Sequence, residues 1–79
     1  MLTENEIRLI ERAACDIATG HHLICKRTPE QLAMLREVCE CLSLIDDGMP
    51  DMLNRRQKDI YEQYRLCTDY SYAKSKGLA

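Results

Sequence analysis

The sequence lacks tryptophan and phenylalanine, and tyrosine supplies all four of its aromatic residues. Its turn-forming residues are also few, with three glycines and two prolines. Because the residue types that favour strands are scarce, an all-β fold is disfavoured. The longest apolar runs fall far short of the roughly 20 residues that a membrane-spanning helix needs. Without large aromatics, the core must be built mainly from ten leucines, six isoleucines and four methionines.

The composition nevertheless predicts a folded chain. Apolar residues make up 46% and charged residues 30% of its 79 positions, which is typical of a globular protein. This length allows one small domain, which is only marginally stable alone. The first residues are acidic and lack the basic region of a signal peptide, so we expect a cytoplasmic protein.

Cysteine is present in an odd number, five. In a reducing compartment these residues are expected to be thiols rather than disulfides. We expect Cys15, Cys39 and Cys67 to be small buried side chains.

Charge is unevenly distributed along the chain. Residues 1–54 carry five basic against ten acidic residues, a net charge of −5, whereas residues 55–79 carry six against three, a net charge of +3. The C-terminal third is therefore predicted to face something acidic, although its charge is far below that of a dedicated nucleic-acid binder.

Three segments show helical periodicity and helix-start signals. Thr3 and Glu6 have the spacing of a capping box, and Thr28 and Gln31 repeat it around a proline that suits the first helical position. The predicted helices span residues 3–19, 28–47 and 50–67, and they form an all-α fold, a helical hairpin with a third helix. This three-helix bundle comprises a single domain of residues 1–68, followed by a flexible tail over residues 69–79. In the loop after Gly20, Leu23 and Ile24 are expected to cover the open end of the core.

Histidine and cysteine come together around this loop and the second helix. His21, His22 and Cys25 share the loop, whereas Cys39 and Cys41 are two residues apart on a helix and point to different sides. Because this spacing does not match a tetrahedral zinc site, we expect no metal and no cofactor, with metal binding by these five residues left open as an alternative. The sequence also has no nucleophile signature and no glycine-rich phosphate loop, so we expect no catalysis and no small-molecule substrate.

Basic residues cluster on one face of the third predicted helix. Its members, which could contact phosphates, are Arg55, Arg56, Lys58 and Arg65. Three-helix domains with a reading helix are known DNA binders, but acidic residues interleave here. A DNA-binding regulator is therefore the alternative function.

The first two helices carry more apolar side chains than their main stripes need. Large apolar patches on small chains often mark partner surfaces, and small helical domains often complete their core by dimerising. We therefore predict a protein-interaction module, a homodimer or a partner of another protein. The predicted interface consists of Ile10, Ile17, Met34 and Leu44.

The segments Thr3–Arg12 and Thr28–Leu32 resemble the small, cysteine-containing helical accessory proteins of lambdoid bacteriophages. The likeness is one of size and style over the first two thirds of the chain, and no site motif carries it. It implies a non-enzymatic protein that acts in the host cytoplasm. Such a protein would adjust a host process, such as replication or the lysis–lysogeny decision, by binding a host protein.

Overall fold

The computed structural model describes residues 1–20 and 26–77, and every regular element in these ranges is helical. Helix α1 spans Glu4–Thr19, α2 spans Pro29–Asp46, α3 spans Arg55–Thr68 and α4 spans Tyr70–Ser75. A 3₁₀ turn, Pro50–Met52, connects α2 to α3. The predicted all-α fold is confirmed. Leu23 and Ile24, which were expected to close the core, lie outside the described residues.

The first two helices begin where their capping boxes predict. The side chain of Thr3 accepts a hydrogen bond from the Glu6 backbone N–H at 3.1 Å, and the Glu6 carboxylate accepts the Thr3 N–H at 3.0 Å. Thr28 and Gln31 form the same reciprocal pair before α2. Each box satisfies backbone donors that the first helical turn would otherwise leave free.

The predicted start of the third helix at residue 50 is wrong. A third capping box, which the sequence interpretation overlooked, places the start at Arg55: the Asn54 side chain accepts the Gln57 N–H at 2.8 Å, and the Gln57 side chain accepts the Asn54 N–H at 2.9 Å. Between the 3₁₀ turn and this cap, Leu53 has an extended backbone and is buried. The break in the helix thus directs Leu53 into the core.

The segment predicted as a flexible tail contains a helix. Asp69 caps α4 by accepting the Tyr72 N–H at 3.1 Å, and Ala73 is buried. The Tyr72 hydroxyl donates to Glu62 at 2.6 Å, and the Arg65 guanidinium lies 3.9 Å from the centre of the Tyr72 ring. These contacts attach α4 to α3. A six-residue helix is too short to show the periodicity by which longer helices are recognised.

The core lies where α1, α2 and α3 meet. Ile10 of α1 and Ile60 of α3 have no exposed surface. The buried cluster consists of Ile10, Ala13, Met34, Leu35, Val38, Cys41, Leu53 and Ile60. Its α2 members lie at spacings of one, three and three residues, which is the pattern of a single helix face.

Two charged clusters stabilise the helix arrangement around this core. Arg56 at the start of α3 pairs with both Glu6 of α1 and Glu37 of α2. Asp16 of α1 is buried and accepts hydrogen bonds from Arg12 and from Arg27, the latter at 2.9 Å. The first cluster links three helices, and the second links α1 to the residues that precede α2.

Candidate interaction surfaces

A groove between α1 and α2 combines an apolar floor with an acidic rim. Ile17 and Leu42 are half-buried and pack against the core, and the carboxylates of Asp46 and Asp47 are exposed beside them. The groove encloses about 390 Å³ and is completed by Cys39 and Ser43. We call this surface the acidic groove.

The rim of the acidic groove is unusual in its position on the helix. Asp46 is the last residue of α2 and Asp47 is its C-cap, and the last turn contains no basic residue. The C-terminal end of a helix carries partial negative charge, so carboxylates there are disfavoured and cations are favoured. Within residues 1–20 and 26–77, no ion pair engages Asp46 or Asp47. Both carboxylates are exposed, so a cation on another molecule can reach them.

A second and larger groove, of about 670 Å³, lies between α1 and α3. Its floor includes the buried Ala14, and exposed thiols line it from both helices, Cys15 from α1 and Cys67 from α3. Although the thiol is exposed, desolvation by its neighbours raises the pKa of Cys67 above its ordinary value, and the hydrogen bond from the Gln63 amide, at 3.8 Å, offsets part of this rise. We call this surface the thiol groove.

The expected burial of three cysteines was wrong. Cys15, Cys39 and Cys67 are exposed, and the buried cysteine among the described residues is Cys41. Its thiol donates to the Gln57 carbonyl at 3.6 Å. Desolvation, followed by the nearby carboxylates of Glu37 and Glu40, raises the pKa of Cys41. Helix α2 therefore turns the side that carries Cys41 to the core, and not the side that carries Cys39.

The four residues of the predicted apolar interface divide into two pairs. Ile10 is 0% and Met34 is 3% exposed, so the structure places both in the core rather than on an outer face. They are buried because α3 and Leu53 complete the cluster around them. Ile17 and Leu44 are half-buried, and Ile17 lines the acidic groove.

The predicted basic face of α3 is partly used within the chain. Arg56 is held by Glu6 and Glu37, and Arg65 stacks on the Tyr72 ring. Arg55 and Lys58 are exposed. The four cations therefore do not form a continuous row of free phosphate contacts.

Within residues 1–20 and 26–77, no group of three metal-ligating side chains is placed to hold an ion. His21, His22 and Cys25 lie outside the described residues, so metal binding by the full five-residue set stays open. Among the described helices, none is long and apolar enough to cross a bilayer.

The sequence did not predict the acidic groove because Ile17 and Asp46 lie on different helices and come together only in the fold. The signal that could have revealed it is the absence of a basic residue from the last turn of α2. No family model, curated protein or solved structure matches the chain.

Proposed function

We propose that this chain is a non-enzymatic protein-interaction module that binds a basic, apolar segment of a protein in the acidic groove. The observation that carries the proposal is the pair of exposed carboxylates, Asp46 and Asp47, beside the apolar floor formed by Ile17 and Leu42. Apolar contacts would supply affinity, and the carboxylates would select a partner of complementary charge.

An amphipathic helix is the partner segment that best fits this surface. Such a helix lays its apolar side in a hydrophobic groove and leaves its charged side chains at the rim. Lysine or arginine one turn from the apolar anchors would reach Asp46 and Asp47. The same cation would also meet the negative end of α2, which adds to the attraction.

The phage resemblance supports a host protein as the partner and the host cytoplasm as the location. Exposed thiols such as Cys15 and Cys39 fit a reducing compartment, where they persist without forming disulfides. In this view the module acts by occupying or blocking a basic segment of its partner.

A binding titration tests the proposal. A labelled leucine–lysine amphipathic helical peptide is titrated with the protein at low ionic strength and followed by fluorescence anisotropy. We expect saturable binding that weakens with added salt, and we expect a leucine–glutamate peptide of the same pattern not to bind.

The double variant Asp46→Lys/Asp47→Lys reverses the groove's charge and should reverse this peptide preference. Equal binding of the lysine peptide to wild type and variant would contradict the proposal.

A gel-shift titration with duplex DNA tests the alternative function, DNA binding. A salt-sensitive shift that Arg55→Gln/Lys58→Gln abolishes, without any peptide binding, would favour DNA recognition instead.

A further inference from the structure

We propose that the occupant of the acidic groove is helix α4 of a second copy of this chain, so that the protein associates with itself. This inference rests on the proposed function, since it names the occupant of the same groove when no host protein is bound there. In this contact, Tyr70 packs on the apolar floor, and Lys74 pairs with the carboxylates of the rim.

Helix α4 presents a basic and aromatic face to solvent. Tyr70 is 69% exposed, which makes it the most exposed aromatic side chain among the described residues. Lys74 is also exposed and lies four residues later, so both side chains share one face of the helix. The Tyr70 ring can pack on the apolar floor of the acidic groove, and Lys74 can pair with the carboxylates of its rim.

The opposite side of α4 is fixed to its own subunit. Ala73 is buried, and Tyr72 is held by its hydrogen bond to Glu62 and by the stacked Arg65. The Tyr70–Lys74 face is therefore presented on a folded element rather than on a free chain end. Little conformational entropy needs to be lost when it docks.

Charge complementarity between the carboxylates of the rim and the exposed Lys74 supports a second copy as the occupant. Residues 1–54, which include the acidic groove, carry a net charge of −5, and residues 55–79, which include α4, carry +3. Two copies that bring these regions together reduce the charge repulsion that each acidic face has alone. The contact surface is small, so we expect association to be weak and to depend on concentration.

A charge-exchange experiment tests this contact. Variant one is Asp46→Lys/Asp47→Lys, which makes the groove basic, and variant two is Lys74→Glu, which makes α4 acidic. Each variant alone brings like charges together at the contact. A mixture of the two restores opposite charges at every groove, whether the two copies exchange one contact or two.

The readout is mass in solution by sedimentation, from about 10 µM to about 1 mM protein at low ionic strength. We expect wild type to associate, each variant alone to associate about tenfold more weakly, and the equimolar mixture to recover association. Tyr70→Ala should weaken association to a similar degree with all charges kept.

Folding of each variant is checked by circular dichroism and urea unfolding. Lysines at the C-terminal end of α2 are favoured by the helix dipole, so variant one should fold at least as well as wild type. If variant two lost α4, Tyr70→Ala would still test the contact with the native charges.

Three results would overturn the inference: wild type that stays monomeric at every concentration, variants that associate as strongly as wild type, or a mixture without recovery. A monomeric wild type that still bound the leucine–lysine peptide would overturn the self-contact and leave the proposed function standing. If wild type did not bind the leucine–lysine peptide but associated with itself in the expected charge-dependent way, the groove would bind only a second copy.

Discussion

Arg56 of α3 and Glu37 of α2 form a two-point ion pair, in which Nε meets Oε1 at 3.1 Å and Nη2 meets Oε2 at 3.1 Å. The remaining guanidinium nitrogen, Nη1, donates to Glu6 of α1. One side chain thereby joins three helices, and both carboxylates raise the pKa of Arg56 above its ordinary value. Arginine suits this position because its planar fork binds two carboxylates with fixed geometry.

Replacing this residue should destabilise the bundle moderately. Since Arg56 is half exposed, we expect Arg56→Met to lower the free energy of unfolding by about 1 kcal/mol. The matched control is Arg55→Met, an exposed neighbour outside the cluster, which should change it by less than about 0.5 kcal/mol. Urea unfolding measures both values, and equal losses in the two variants would show that the cluster adds no stability.

Acid should weaken the fold through two carboxylates. The hydrogen bond from the Thr3 backbone, followed by the one from Arg56, lowers the pKa of Glu6 below its ordinary 4.5. Burial by itself would raise the pKa of Asp16, but the hydrogen bonds from Arg27 and Arg12 lower it below 3.8.

Because both groups bind protons more tightly when unfolded, their contribution is complete at neutral pH and is lost as the pH falls through the folded values. We therefore expect the free energy of unfolding to fall as the pH drops through the ordinary values of 4.5 and 3.8 and below them, and to fall less in Glu6→Gln and in Asp16→Asn. Glu4→Gln is the matched control, since it removes a carboxylate from the same first turn without touching Arg56. An identical pH profile in all four proteins would contradict this assignment.

Ile10 should behave as a core residue and not as an interface residue. Its side chain is fully buried within one copy, so Ile10→Ala should cost about 3 kcal/mol of unfolding free energy by leaving a cavity. Leu32→Ala, at a position 39% exposed, should cost less than about 1 kcal/mol. If Ile10→Ala kept the stability of wild type but no longer associated, Ile10 would be an interface residue, as the sequence predicted.

The cysteines should differ in reactivity because the thiolate is the reacting form. We expect iodoacetamide to modify Cys15 and Cys39 readily in the native protein, and Cys67 more slowly than Cys15 because burial raises its pKa. Cys41 should react only after unfolding, since it is buried and its pKa is also raised. Peptide mapping by mass spectrometry gives the four rates, and rapid native modification of Cys41 would contradict the packing of α2.

The sequence predicted those parts of the fold that depend on short-range patterns such as capping boxes. The capping boxes at Thr3 and Thr28 placed the starts of α1 and α2 because each box is formed within four residues. The box at Asn54 was equally local, but it lay inside a run that already looked helical from Pro50.

Tertiary packing decided the rest. Apolar residues surround much of α2, so periodicity predicted a stripe through Cys39 that Val38 widens, whereas the structure buries Val38 together with Cys41. The acidic groove depends on Ile17 and Asp46 meeting across two helices, and no short-range pattern encodes that meeting. From the sequence, only the acidic end of α2, which has no basic residue in its last turn, could be recognised as unusual.

The most direct test of the acidic groove uses two thiols that the chain already contains. Cys39 lies in the acidic groove and Cys15 lies in the thiol groove, and both are exposed. Their alkylation rates are compared by peptide mapping in dilute protein, with and without a saturating leucine–lysine peptide. A docking surface at the acidic groove predicts that the peptide slows Cys39 severalfold and leaves Cys15 unchanged. Equal slowing of both thiols, or protection of Cys15 alone, would contradict it.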